Sequence, residues 1–214
     1  MYRLWSQQLS PQVEVCPIQL PGRENRIKEQ PFTQIAPLLR ALIPALRPYL
    51  DVPFQIFGHS MGTLLSFELV RELRRQGLPQ PTHLFVSGCR APQVPRTKEA
   101  TYALPNGEFL DSIKAMGGTP EAVLQNQELM ELLLPVLRAD FEIVETYKYH
   151  SEPPLSMPIA VFGGHEDKEV PQRELEPWQQ QTTRAYTLNM FPGGHFYLQH
   201  HQKELLQTIA TYYL

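Results

Sequence analysis

A serine stands between two glycines in Gly58-His59-Ser60-Met61-Gly62. The stretch closes one apolar run, Phe54 to Phe57, and precedes another that starts at Leu64. This is the pattern G-x-S-x-G between a strand-like and a helix-like segment. A sharp turn there lifts a hydroxyl out of a sheet and onto the first turn of a helix. Its strained backbone leaves little room for side chains two residues to either side, which accounts for the glycines. Ser60 is therefore the candidate nucleophile. The backbone N–H of Met61, at the positive end of the helix, is the candidate oxyanion donor. A glycine-rich turn with an incidental serine is the plainer alternative, and the elements on either side favour the nucleophile.

A serine nucleophile needs a base, and the base needs a carboxylate to orient it. On this kind of turn the partners follow in the order Ser, Asp or Glu, His. The segment "PIAVFGGHEDKEV" supplies Glu166, Asp167 and Glu169 directly after a strand-like run. Asp167 is the preferred acid, with Glu166 the alternative. The segment "MFPGGHFYL" supplies His195 in a loop before the last helix. Chain order and the preceding Gly-Gly make it the candidate general base rather than a loop histidine bonded to backbone. One strand and one helix fit between acid and base.

The remaining candidates read more plainly. His59 shapes the floor of the pocket. His200 and His201 look like a solvated helix start. A metal site from His165, Glu166, Asp167 and His195 is set aside, because "HEDKE" is not H-E-x-x-H. Arg71, Arg74 and Arg75 read as a solvated helix end, with an acidic partner as a weaker option.

Periodicity describes the elements that must hold these groups. Strands are expected over "QVEVCPIQ", "FQIFG", "THLFVSG", "PIAVFGG" and "AYTLNMF". Helices are expected over 34–50 with Thr33 as N-cap and a kink at Pro44, over 61–76, near 172–181 and near 199–212. A short helix is expected at 2–9. Between 91 and 155 no strand is apparent. Three helices are expected there, with Asn106 and Thr119 as caps and Pro120 in a first turn. Strands alternating with helices imply a mostly parallel sheet covered on both faces. The block at 91–155 is an insertion of the kind that acts as a lid.

The 214 residues suit one domain, 1–214. A net charge of -3 excludes the basic excess of a nucleic-acid binder. No apolar stretch reaches the length of a membrane span, and the N-terminus lacks a signal peptide's apolar region. Two cysteines make no disulfide framework, so a cytoplasmic location is expected.

Against this background the chain resembles the type II thioesterases of nonribosomal peptide and polyketide synthase pathways, within the α/β-hydrolase superfamily. The resemblance spans essentially the whole chain. It rests on "VEVCPIQLPGRENR", "FQIFGHSMGTLLSFELVRELR", "HLFVSGCRAP", "LLLPVLRADFEIVETY", "FGGHEDKEV" and "FPGGHFYL". "LPGR" at 20–23 and "LRADF" at 137–141 are more specific than the elbow. The resemblance implies a Ser60-Asp167-His195 triad and a helical lid at 91–155. It implies hydrolysis of acyl groups from the phosphopantetheine arm of carrier proteins in secondary metabolism, without a bound cofactor or metal. A monomeric, standalone protein is expected. Family members usually begin with a further strand and a loop resembling F-P-x-A-G-G, which supplies a second oxyanion N–H. Neither is seen here, so both are expected to be missing, leaving Met61 as the donor. Losing one such donor costs roughly a hundredfold to a thousandfold in rate. The alternatives are a general carboxylesterase of the same fold and a non-catalytic module that binds carrier proteins.

Overall fold

In the computed structural model, which describes residues 2–212 apart from the Arg3 side chain, four of the apolar runs become strands. They are β1 (Gln55–His59), β2 (His83–Ser87), β3 (Ile159–Gly164) and β4 (Tyr186–Phe191). They lie in the order β1-β2-β3-β4, each pair parallel. The register sets His59 beside Ser87 and Gly164 beside Phe191. The C-terminal ends of the strands therefore gather at one end of the sheet, where loops can converge on a ligand.

Parallel strands are buried on both faces, and the alternation of side chains shows how. Leu84, Val86, Ile159 and Val161 face one layer, with Phe67 and Val70 of α2 (Met61–Arg75) and with Leu175 and Trp178. Phe85, Ala160 and Phe162 face the other, with Leu205, Leu206 and Ile209 of the C-terminal helix and with Trp5. α1 (Ile35–Leu46) packs Leu39 and Ile43 against Leu69 and Leu73 of α2. Between β2 and β3 lie α3 (Asn106–Met116), α4 (Glu121–Leu124) and α5 (Gln127–Thr146). α6 (Gln172–Leu175) and α7 (Gln202–Ala210) follow β3 and β4.

Several local expectations are corrected. Val13 and Val15 alternate like a strand but form none. β1 ends the sheet order, and the Tyr2 and Trp5 rings pack on its Phe57. Val15 joins that apolar cluster through its side chain. Among the described residues, those before β1 contribute no strand. The N-caps are Gln34, Pro105 and Pro120 rather than Thr33, Asn106 and Thr119. Asn106 instead accepts a hydrogen bond from Arg138. The helix expected over 172–181 is one α turn followed by a 3-10 segment holding Pro177. Arg71 is not solvated: it is 2 % exposed. The chain returning from α5 to β3 crosses α2 there, and Arg71 pairs with Glu68 and Glu152.

Candidate active site

The elbow forms where β1 meets α2. Ser60 has φ 53° and ψ −121°, in the left-handed half of the map that a non-glycine residue enters only at a cost. Its N–H donates to the Ser87 carbonyl (2.8 Å) and its carbonyl accepts from Thr63 N–H (3.0 Å). The Thr63 hydroxyl lies between the Gly58 and Ser87 carbonyls. The two glycines are not equivalent. A Cβ on Gly58 would run into the Gly62 carbonyl and the Thr63 nitrogen, whereas one on Gly62 would meet open space. Only Gly58 is demanded by the turn. Met61 opens α2, and its side chain lies against Leu38, Leu65 and Ile143.

The acid and base loops leave the ends of β3 and β4 and are tied together by backbone. Glu166 N–H donates to the Gly193 carbonyl (3.0 Å), and His165 N–H to the Phe191 carbonyl (2.8 Å). A Cβ on Gly164 would collide with the Gly193 and Gly194 carbonyls, so the loops touch through bare backbone. The structure brings together Ser60, Asp167 and His195. His195 Nε2 is 2.9 Å from Ser60 Oγ, and its Nδ1 is 2.8 Å from Asp167 Oδ2. The other Asp167 oxygen accepts from Glu169 N–H (2.8 Å) and Val170 N–H (3.1 Å). Asp167 and His195 are each 5 % exposed. Glu166 points elsewhere and accepts from Gly193 N–H. Glu169 pairs with Lys98.

This arrangement supports a proton relay from a serine hydroxyl to an imidazole whose orientation a carboxylate holds. The buried Cys89 thiol is pushed up to about 12 by burial, so it offers no rival thiolate at neutral pH. Among the described residues no His, Cys, Asp and Glu group is arranged to hold a metal ion. None of the described helices is long and apolar enough to cross a membrane.

Sequence reasoning missed three things around the site. Ser87 and Tyr197 form a hydrogen-bond chain from His59, and no motif announces it. Gly118, after α3, lies on the Phe196 ring, where a Cβ would collide. The segments LPGR and LRADF, separate in sequence, meet through Arg23 and Asp140 at 2.6 Å. Burial pushes the Asp140 carboxyl up, against the pull of Arg23. A basic residue in one distinctive segment and an acidic residue in another was the available signal.

A parallel sheet with helices on both faces and a serine on a positive-φ turn defines an α/β-hydrolase. A family model described as thioesterase domain matches residues 1–213, and the chain belongs to that family. Gramicidin S biosynthesis protein GrsT of Aneurinibacillus migulanus is 43% identical over 203 residues, 95% of this chain and 79% of that protein. Thioesterase PikA5 of Streptomyces venezuelae is 33% identical over 211 residues, 98% of this chain and 75% of that protein. The solved structure of RedJ, a thioesterase from the prodiginine biosynthetic pathway in Streptomyces coelicolor, superposes with a TM-score of 0.93. It is 36% identical and covers 99% of this chain and 84% of that one. The chain is a hydrolase acting on thioesters.

Proposed function

We propose that this thioesterase removes acyl groups from the phosphopantetheine arm of carrier proteins, clearing misprimed or stalled peptide or polyketide synthases. The observation that carries the reading is the His195 imidazole, placed between Ser60 Oγ and Asp167. The relatives from gramicidin S and prodiginine biosynthesis support the pathway class. Ser60 Oγ attacks the thioester carbonyl while His195 takes its proton. Asp167 fixes the imidazole tautomer and stabilises the imidazolium. The N–H of Met61 binds the oxyanion at the start of α2. Collapse breaks the C–S bond, and the pantetheine sulfur, a good leaving group with a thiol pKa of about 8.5, departs as the thiol with the proton that His195 returns to it. His195 then activates water to release the acid and free the serine.

In this reading 1–214 is one catalytic domain and 91–155 is its lid, with Gly118 resting on Phe196 beside the base. The reading takes it as a cytoplasmic monomer, since Ser60, Asp167 and His195 come from one chain and both cysteines are free. The test is hydrolysis of an acyl-pantetheine thioester against a p-nitrophenyl ester, with Ser60→Ala as control. Turnover that favours the thioester and falls to background in Ser60→Ala supports the reading. Retained hydrolysis in Ser60→Ala rules out the nucleophile. A preference for the oxygen ester points to a general carboxylesterase. Carrier binding without turnover leaves a binding module.

A further inference from the structure

His59 ends β1, directly before the nucleophile. Its ring centroid is 5.1 Å from that of His195, 5.7 Å from Phe196 and 6.3 Å from Tyr197. Gly88, at the end of β2, makes the space for this. A Cβ there would come within 2.7 Å of His59 Cε1 and 3.4 Å of His195 Cε1. The two imidazoles therefore share the floor left by one bare glycine. His59 Nδ1 is 2.8 Å from Ser87 Oγ, which is 2.7 Å from the Tyr197 hydroxyl. Ser87 and Tyr197 are fully enclosed, at 0 % and 1 % exposure. His59 Nε2 is shut from solvent and has no hydrogen-bond partner among the described residues.

We propose that His59 is a positioning residue: the Tyr197–Ser87–His59 chain locks its ring, and that ring walls the slot in which His195 takes the Ser60 proton. The inference rests on the proposed roles of Ser60 and His195 and adds a residue that acts through them. The direction of the chain follows from counting protons. If Tyr197 donates to Ser87 and Ser87 donates to His59 Nδ1, the ring carries its proton on Nε2, and only that N–H goes unmatched. In the reverse direction both the Tyr197 proton and the Nε2 lone pair lack partners. Tyr197 lies on the base loop, Ser87 on β2 and His59 on the elbow strand. The chain thus ties together the two loops whose relative position sets the His195–Ser60 distance. Burial, and then the neighbouring His195, hold the His59 ring well below the usual imidazole range. An uncharged wall does not oppose the imidazolium that forms beside it. The groups facing His195 are Asp167 from the β3 loop, His59 and Ser60 from the elbow, and Phe196 of its own loop.

The test uses His59→Ala, and His59→Phe, which keeps the ring body but drops the Ser87 bond. In folded variants with an unchanged thermal midpoint, His59→Ala is expected to lower kcat roughly tenfold to a hundredfold with KM nearly constant. His59→Phe recovers part of that loss. Water admitted beside His195 stabilises the imidazolium, so the acid limb of the rate profile moves to higher pH in His59→Ala. The His195 titration, followed by 15N imidazole signals, moves the same way, and this readout needs no turnover. An unchanged His195 titration in folded His59→Ala overturns the proposal. Loss of Ser60 dependence in the parent overturns the catalytic reading instead.

Discussion

The C-terminal end of the sheet and the helical block between β2 and β3 are held by different kinds of force. At the sheet end the elbow, acid loop and base loop are joined by backbone hydrogen bonds and glycine contacts that tolerate almost no displacement. The block, α3 to α5, is held by side chains, with Ile143 of α5 packed beside Leu38 and Leu65 and polar groups tying its rim. Glu145 accepts from Arg96 and from the Thr101 and Tyr102 N–H groups, Arg138 reaches the Tyr102 carbonyl, and Arg23 grips Asp140. Long polar side chains swing on their rotamers, whereas a backbone ladder does not. With 91–155 as the proposed lid, the contrast suits fixed reacting atoms beneath a cover able to part for a bulky substrate.

The largest effect is expected where the fixed frame meets the chemistry. Asp167→Asn keeps the shape but loses the carboxylate proposed to select the His195 tautomer, so kcat is expected to fall roughly ten-thousandfold while KM changes little. Steady-state kinetics on an acyl-pantetheine substrate read this directly. A loss of only a few-fold would move the orienting role away from Asp167.

Next comes the frame itself, tested by its two glycines. Gly58→Ala drives a Cβ into backbone that cannot yield, and a loss of about 1–3 kcal/mol is expected by denaturant unfolding, with activity falling further. Gly62→Ala sits in open space near the start of α2 and is expected to be neutral or to stabilise by up to about 1 kcal/mol. Equal costs for the two would mean the elbow is looser than its contacts indicate.

The sheet end was also the more legible region, for the same reason. An apolar run that ends in G-x-S-x-G, or in a loop carrying acids or a Gly-Gly-His, encodes its geometry locally, and motif and chain order offered Ser60, His195 and Asp167 together, with Glu166 as the alternative acid. What failed depended on distant chain. The Val13–Val15 alternation promised a strand, but Val15 is used by its side chain alone, in the apolar cluster that holds Trp5 and Phe57. Arg71 looked like a solvated helix end because nothing nearby in sequence shows that residues 147–155 will cover it. The role of Gly62 was misjudged by symmetry with Gly58, although helix direction places their Cβ positions in different surroundings.

The rim of the block gives a smaller and less obvious prediction. Arg23 and Asp140 are each partly buried, at 29% and 23% side-chain exposure, and burial outweighs the pull of Arg23 on the carboxyl. Removing Arg23 leaves a desolvated carboxylate without its partner, whereas Asp140→Asn removes the charge that burial penalises. Arg23→Ala is therefore expected to cost more stability than Asp140→Asn, by about 1–2 kcal/mol. Leu20 of the same loop packs in the cluster that holds Met61 and Ile143. Both variants are expected to change KM for long acyl chains more than kcat for short ones. Equal stabilities would show that the pair contributes no more than an exposed one.

The smallest effect separates the two regions by pH. Glu152 lies on the chain that returns from the block to β3, among Arg71, Arg74 and Arg75. Burial alone would raise its carboxyl, but the hydrogen bonds and charges of Arg74, Arg71 and Arg75 prevail and hold it at about 2. A carboxyl lowered on folding contributes stability that is fully present above its unfolded value and is lost as pH falls through the folded one. Glu152→Gln is therefore expected to be less stable than the parent at pH 7, and the two should converge between pH ~5 and ~2. Asp140, raised by burial, has the opposite sign: its ionisation opposes folding as pH rises. Asp140→Asn should thus compare best with the parent at neutral pH and lose that advantage in acid. Chemical denaturation of the three proteins across this range decides it. Parallel curves for Glu152→Gln and Asp140→Asn would mean that the tether to α2 and the clasp on α5 are held by the same balance of forces, and the contrast between the two regions would not extend to their anchors.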